Sequence, residues 1–299
     1  MPRELKPLFE GGRYFEAPRW RDGRWWVSDF YRHAVFTVTP DGRSDKVLDV
    51  AHQPSGLGWL PDGSLLVVSM KSRQLLRRSP AGKVSLHADL SALCRGPCND
   101  MVVDARGTAW VGSFGFDLMA GADAQPSVLV RVDADGGAQV AADSLFFPNG
   151  AVLSPDGRTL IVGETLGNRY TAWTLGDDGR LHDRRVWAQF GPEPQLGPVP
   201  QVLPQLKVAP DGCALDAEGQ IWAADAIGAR CVRIAAGGQI TDQIAAPAGM
   251  GVFACMLGGD DGKTLLLCAA PDFYEHNRAQ ADEAVLYTAR VDVPHAGLP

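Results

Sequence analysis

The chain has 299 residues, 45% of them hydrophobic, and a formal net charge of −7. That length and apolar content suffice to bury a large core, while the negative balance disfavours nucleic acid and anionic membrane surfaces as partners. The N-terminal Met1-Pro2-Arg3-Glu4-Leu5-Lys6-Pro7 has no apolar targeting core. The six cysteines (Cys94, Cys98, Cys213, Cys231, Cys255, Cys268) form no CxxC pair, so they read as reduced core thiols and the expected location is cytoplasmic.

Short apolar runs broken by Gly, Pro, Asp and Asn occupy the whole chain, and no helix of useful length is predicted. One unit recurs: a short strand, an Asp-Gly or similar turn and a second strand, the pattern of a hairpin. Its copies turn at Asp22-Gly23, Asp62-Gly63, Arg106-Gly107, Asp156-Gly157, Glu218-Gly219 and Asp261-Gly262. Two more strands follow each of the first five hairpins: residues 33–38 and 45–50, 74–78 and 84–88, 127–132 and 138–141, 170–175 and 184–188, and 230–234 and 240–244. Six four-stranded units at a spacing of about 40 residues predict an all-β, six-bladed β-propeller. The sixth copy has a third strand at residues 284–291 and no fourth before the chain stops. Residues 4–9 resemble the fourth strands elsewhere, so they are expected to complete the last blade and close the ring. Residues 1–299 then form one domain.

Equivalent repeat positions should surround the pseudo-symmetry axis. Counting back eight residues from each hairpin glycine (seven in the shorter first copy) gives Glu16, Ser55, Asn99, Asn149, Asp211 and Ala254. Two carboxylates and two amide oxygens at one channel mouth make a hard, oxygen-rich site. Two buried negative charges need a dication to offset their repulsion. Ca²⁺ suits this set best. Zn²⁺, Mn²⁺ and Mg²⁺ are alternatives, and the lack of a ring histidine argues against a dedicated zinc site. Three insertions fall on the same face, after the second strands of blades three and six and before the first strand of blade five. They bring Phe114, Phe116, Phe273 and Tyr274 to a presumptive small-molecule pocket. Asp29, Glu164 and Asp225, at second-strand ends on this face, are candidate substrate-facing or supporting acids.

Four blocks, Phe15-Glu16-Ala17-Pro18-Arg19-Trp20, Asn99-Asp100, Phe147-Pro148-Asn149-Gly150 and Pro210-Asp211-Gly212 with Asp216-Ala217-Glu218-Gly219, resemble the SMP-30/gluconolactonase/luciferin-regenerating-enzyme family along essentially the whole chain. The resemblance implies a six-bladed propeller with one divalent metal in the channel mouth. Glu16, Asn149 and Asp211 would be ligands, and Asn99 would contact metal water or substrate. It also implies hydrolysis of a lactone, with Asp211 as candidate general base and Asn99 orienting the substrate oxygen. Hydrolysis of another ester or a phosphotriester, and a non-catalytic propeller with a structural metal, are the rival readings. Family members that act on sugar lactones often carry Arg two residues before the matched Asn. Here that residue is Pro97, with Arg95 two further back, so the expected substrate is less polar than gluconolactone.

Overall fold

The hairpins become the inner halves of six blades. A computed structural model describes residues 3–297, in which six sheets each contain four antiparallel strands. The innermost strands are Phe15–Arg21, Pro54–Trp59, Cys98–Val103, Pro148–Leu153, Pro210–Leu215 and Gly251–Gly258. They pack in a closed circuit, the last against the first. Their sequences are apolar and small because both faces are covered by neighbouring blades, and Cys98–Val103 is buried at every residue. Outer strands face water on one side and carry charge accordingly, as in the largely exposed Ser44–Asp49. Between blades, Trp25, Trp110 and Trp222 of the second strands are almost wholly buried; each fills a wedge that widens outward from the axis.

The ring closes through the N-terminus, as expected, with a small shift. The closing strand is Lys6–Gly12, paired antiparallel with Ala284–Arg290 from Lys6↔Thr288 to Gly12↔Ala284. It runs three residues further than the sequence reading, to two glycines. Gly11 holds a positive φ of 85°. A Cβ on Gly12 would lie 2.0 Å from the ring of Phe15, so the chain can turn into the first inner strand only with glycine there.

The insertions contain single helical turns, Val199–Val202 with Leu203–Gln205 before blade five, and Glu275–Arg278 after the second strand of blade six. Among the described residues no helix is long and apolar enough to cross a membrane.

A register irregularity in every inner strand positions the site. In blade four Pro148 pairs with Glu164 and Ala151 with Val162, so Asn149 and Gly150 together oppose Gly163. Blades two, three and five have the same arrangement at Ser55-Gly56, Asn99-Asp100 and Asp211-Gly212. Such a bulge turns a side chain out of the pleat alternation. The residue after the bulged one is glycine in three blades because the inner strands nearly touch. A Cβ on Gly150 would lie 2.3 Å from the carbonyl oxygen of Asp211, and one on Gly56 would lie 2.6 Å from the amide of Met101.

Candidate active site

The bulges deliver Asn99, Asn149 and Asp211, and the paired residue just before the blade-one bulge delivers Glu16, to the floor of one cavity of about 470 Å³ at a channel mouth. The other two counted positions, Ser55 and Ala254, are not among its lining residues; Gln53 and Phe253 line it instead. In blade six the unpaired residue is Phe253, between Val252↔Ala269 and Ala254↔Cys268. The irregularity there falls one residue earlier than the repeat count assumes.

The walls come from all three insertions. Phe114, Phe116 and Phe147 cluster on one side, with ring centroids of Phe114 and Phe147 4.2 Å apart. Tyr14, Phe253 and Phe273 form a second aromatic chain, at 5.1 and 6.2 Å. Val199 and Leu203, from the turns before blade five, add to the lining. Tyr274 is 41% exposed and stacks on Phe273 from outside.

On the floor, Glu16 and Asp211 are buried, and neither is ion-paired among the described residues. Glu16 accepts only the amide of Ala17, at 2.9 Å. Burial first, then repulsion from Asp211, pushes the Glu16 carboxyl well above the ordinary glutamate range. Burial, then repulsion from Asp100, pushes Asp211 up to about 8. Just behind, Arg19 and Asp100 form a buried pair at 3.0 Å. Three acids against one guanidinium leave two negative charges without a counter-charge.

The Asn149 amide can be oriented from its network alone. The Thr165 hydroxyl donates to the carbonyl of Pro210 at 2.7 Å, so its oxygen can only accept from Asn149, at 3.0 Å. Asn149 must therefore turn its NH₂ toward Thr165, which frees Oδ1. Asn99 Oδ1 accepts a long bond of 3.4 Å from Ser55, leaving its NH₂ as a donor.

This donor set fits a divalent cation. It offers two carboxylates whose burial is uncompensated and a neutral oxygen held in a fixed direction, all hard ligands. Among the described residues no group of three or more His, Cys, Asp and Glu is arranged to hold a metal ion; the floor's set is two carboxylates and an amide oxygen, without the His and Cys ligands of structural zinc.

Glu164 and Asp225 take the supporting place of the two expected for them and do not face the cavity. Both are wholly buried, and neither is among the cavity's lining residues. Glu164 accepts the amide of Phe146 and is gripped by Arg169, Nε at 2.8 Å and Nη2 at 2.9 Å. Asp225 accepts the amide of Ala209 and pairs with Arg230 at 3.0 Å. Asp29 does the equivalent for the amides of Arg13 and Tyr14. These acids tie down the chain as it enters an inner strand; they position the floor without facing it. The sequence reading missed Asp100, Arg19, Thr165, Gln53 and Phe253. Asp100 alone left a signal, since it stands where three other blades need glycine.

The fold and floor define a class: a six-bladed propeller with an oxygen-rich, acidic channel mouth. Residues 14–271 match the model of the SMP-30/gluconolactonase/LRE-like region, and the chain belongs to that family. It is 28% identical over 292 residues to a 6-deoxy-6-sulfogluconolactonase of Pseudomonas putida, covering 95% of this chain and 93% of that protein. In structure it resembles regucalcin, a calcium-binding protein of Agrobacterium tumefaciens. The TM-score is 0.79 at 21% identity, covering 100% of this chain and 97% of the other. It also resembles a gluconolactonase of Xanthomonas campestris, with a TM-score of 0.72 at 22% identity, covering 98% and 90%.

Proposed function

We propose that the protein is a divalent-metal-dependent hydrolase of lactones. The observation that carries this is the pair of buried, uncompensated acids at the floor of a concave aromatic pocket, in a chain whose relatives include proteins named as gluconolactonases. Glu16, Asp211 and the Oδ1 of Asn149 would hold the metal, with Ca²⁺ favoured by the all-oxygen set and by the likeness to regucalcin. Bound there, the cation would polarise the ester carbonyl and offset the charge of the two acids.

The protein's own groups supply the rest. The NH₂ of Asn99 donates to the substrate oxygen and fixes the ring against the floor. Asp211 accepts a proton as water attacks the carbonyl carbon, and the same proton passes to the ring oxygen as the C–O bond breaks. The product is an open hydroxy acid. The aromatic walls exclude bulk water and leave room for a small-molecule substrate. Six free, buried thiols favour a reducing compartment, and we place the protein in the cytoplasm. A panel of lactones and esters assayed with EDTA and with metal add-back tests the proposal. Metal-restored turnover of a lactone is expected; lactone turnover undiminished by EDTA would overturn the metal's role.

A further inference from the structure

We propose that the pocket mouth carries an anion subsite, Arg73 with Arg95, that selects lactones bearing a second, permanently ionised group remote from the ring carbonyl. This rests on the lactonase reading above.

Both arginines line the cavity, and both come to the same side of it. Arg73 donates to the carbonyls of Ser91 and Cys94, at 3.3 and 3.0 Å, and Arg95 is the next residue along that loop. Backbone carbonyls hold the Arg73 guanidinium in place without cancelling its charge. Arg95 is exposed and has neither an ion pair nor a hydrogen bond among the described residues. The third cation of the mouth, Lys71, is already paired with Glu275 at 2.7 Å. The rim's own acid, Asp117, accepts the amide of Ala120 within its own loop. Neither arginine is ion-paired among the described residues, although Asp117 keeps its own negative charge and Asp89 lies near enough to Arg73 to feel its field, so the rim carries a modest positive excess above the floor.

Position along the chain sets the reach. Pro97 lies two residues from Asn99, and its carbonyl is fixed by the amide of Phe114 at 2.9 Å. At Gly96 a Cβ would meet the backbone of Phe116 at 2.6 Å, so a side chain is excluded there. Arg95 is thus the first long side chain back from the floor, displaced from position 97 by up to about 7 Å of chain. A guanidinium so placed misses the substrate ring and meets its far end. Paired guanidinium groups bind carboxylate, sulfonate and phosphate alike through charge-assisted hydrogen bonds. Such a subsite runs against the expectation of a less polar substrate drawn from Pro97, which noted Arg95 but gave it no role.

The test compares glucono-1,5-lactone with 6-phosphoglucono-1,5-lactone on the metal-loaded protein, at low and high salt, for the native chain, Arg95→Gln and Arg95→Glu. The native kcat/KM ratio should favour the phosphorylated lactone at least tenfold and shrink as salt screens the contact. Arg95→Gln should lower that ratio about tenfold and Arg95→Glu should invert it. Calorimetric binding of 6-phosphogluconate against gluconate gives a readout without turnover. If neither lactone is hydrolysed but the phosphorylated acid binds tighter and loses that margin in Arg95→Gln, the subsite stands and the lactonase reading falls. If both lactones are hydrolysed with a ratio near one, or the ratio is unmoved by Arg95→Glu, the subsite is wrong. Equal binding of the two acids by the native protein would also overturn it.

Discussion

Two sets of buried acids, one on inner strands and one at the ends of second strands, behave as opposites. Glu164 and Asp225 are wholly buried, yet each meets an arginine and at least one backbone amide. Glu16 and Asp211 are buried almost as deeply and meet no cation. The first set is ordinary structural pairing, where burial and compensation arrive together. The second holds a cost that the fold leaves uncancelled, and such a cost persists in a folded protein when something outside the chain removes it.

The largest expected effect is on turnover. Glu16→Gln and Asp211→Asn should each lower kcat/KM by about a thousandfold or more, since each removes half the charge available to the cation. Saturating metal should restore part of the Glu16→Gln activity and little of the Asp211→Asn activity if, as proposed, only Asp211 also moves a proton. Equal rescue would remove the general-base role; full metal-free activity of either variant would remove the site.

Next in size is a stability effect of opposite sign in the two regions. In the chelated protein, Glu164→Gln should lower stability by about 3 kcal/mol by stranding Arg169 and the Phe146 amide, whereas Glu16→Gln should melt at or above the native chain. Thermal melts with EDTA decide it, and a matched loss in both variants would erase the distinction.

The same asymmetry sets a pH trend. Glu16 and Asp211 have folded-state pKa values raised above their unfolded ones, so between the two values the folded chain binds more protons. Stability of the chelated protein should therefore fall as pH rises from about 4 through about 8. Added metal should flatten that fall. A chelated protein that gains stability across this window would show the two acids to be compensated after all.

The smallest effect concerns Thr165, which acts on the floor through the Asn149 amide. Thr165→Val releases the Asn149 amide and should weaken metal binding about tenfold, with a stability loss of about 1 kcal/mol. Unchanged affinity would mean that Asn149 keeps its direction without Thr165.

The sequence carried the fold almost entirely, because hairpin turns and strand runs are local and repeat at one phase. The same phase found Glu16, Asn99, Asn149 and Asp211. It failed where position along the chain and direction of the side chain part company. Ala254 was counted into the ring, but the register slip at Phe253 turns a different residue inward. Glu164 and Asp225 sit at the right height on the right face, yet their side chains point at amides of the incoming strand. Arg19 and Asp100 are 81 residues apart and become neighbours only across the channel.

Closure of the last blade joins Lys6 to Thr288, 282 residues away. At ribosomal speeds of about 5–20 residues per second, the closing strand waits roughly a quarter of a minute to a minute for its partner. Throughout that time it is an orphan edge. Lys6 and Glu10, charged and exposed on Lys6–Gly12, are what an unpaired strand needs to resist joining the wrong neighbour. The sequence of this strand answers to the minute before the ring exists as much as to the ring itself.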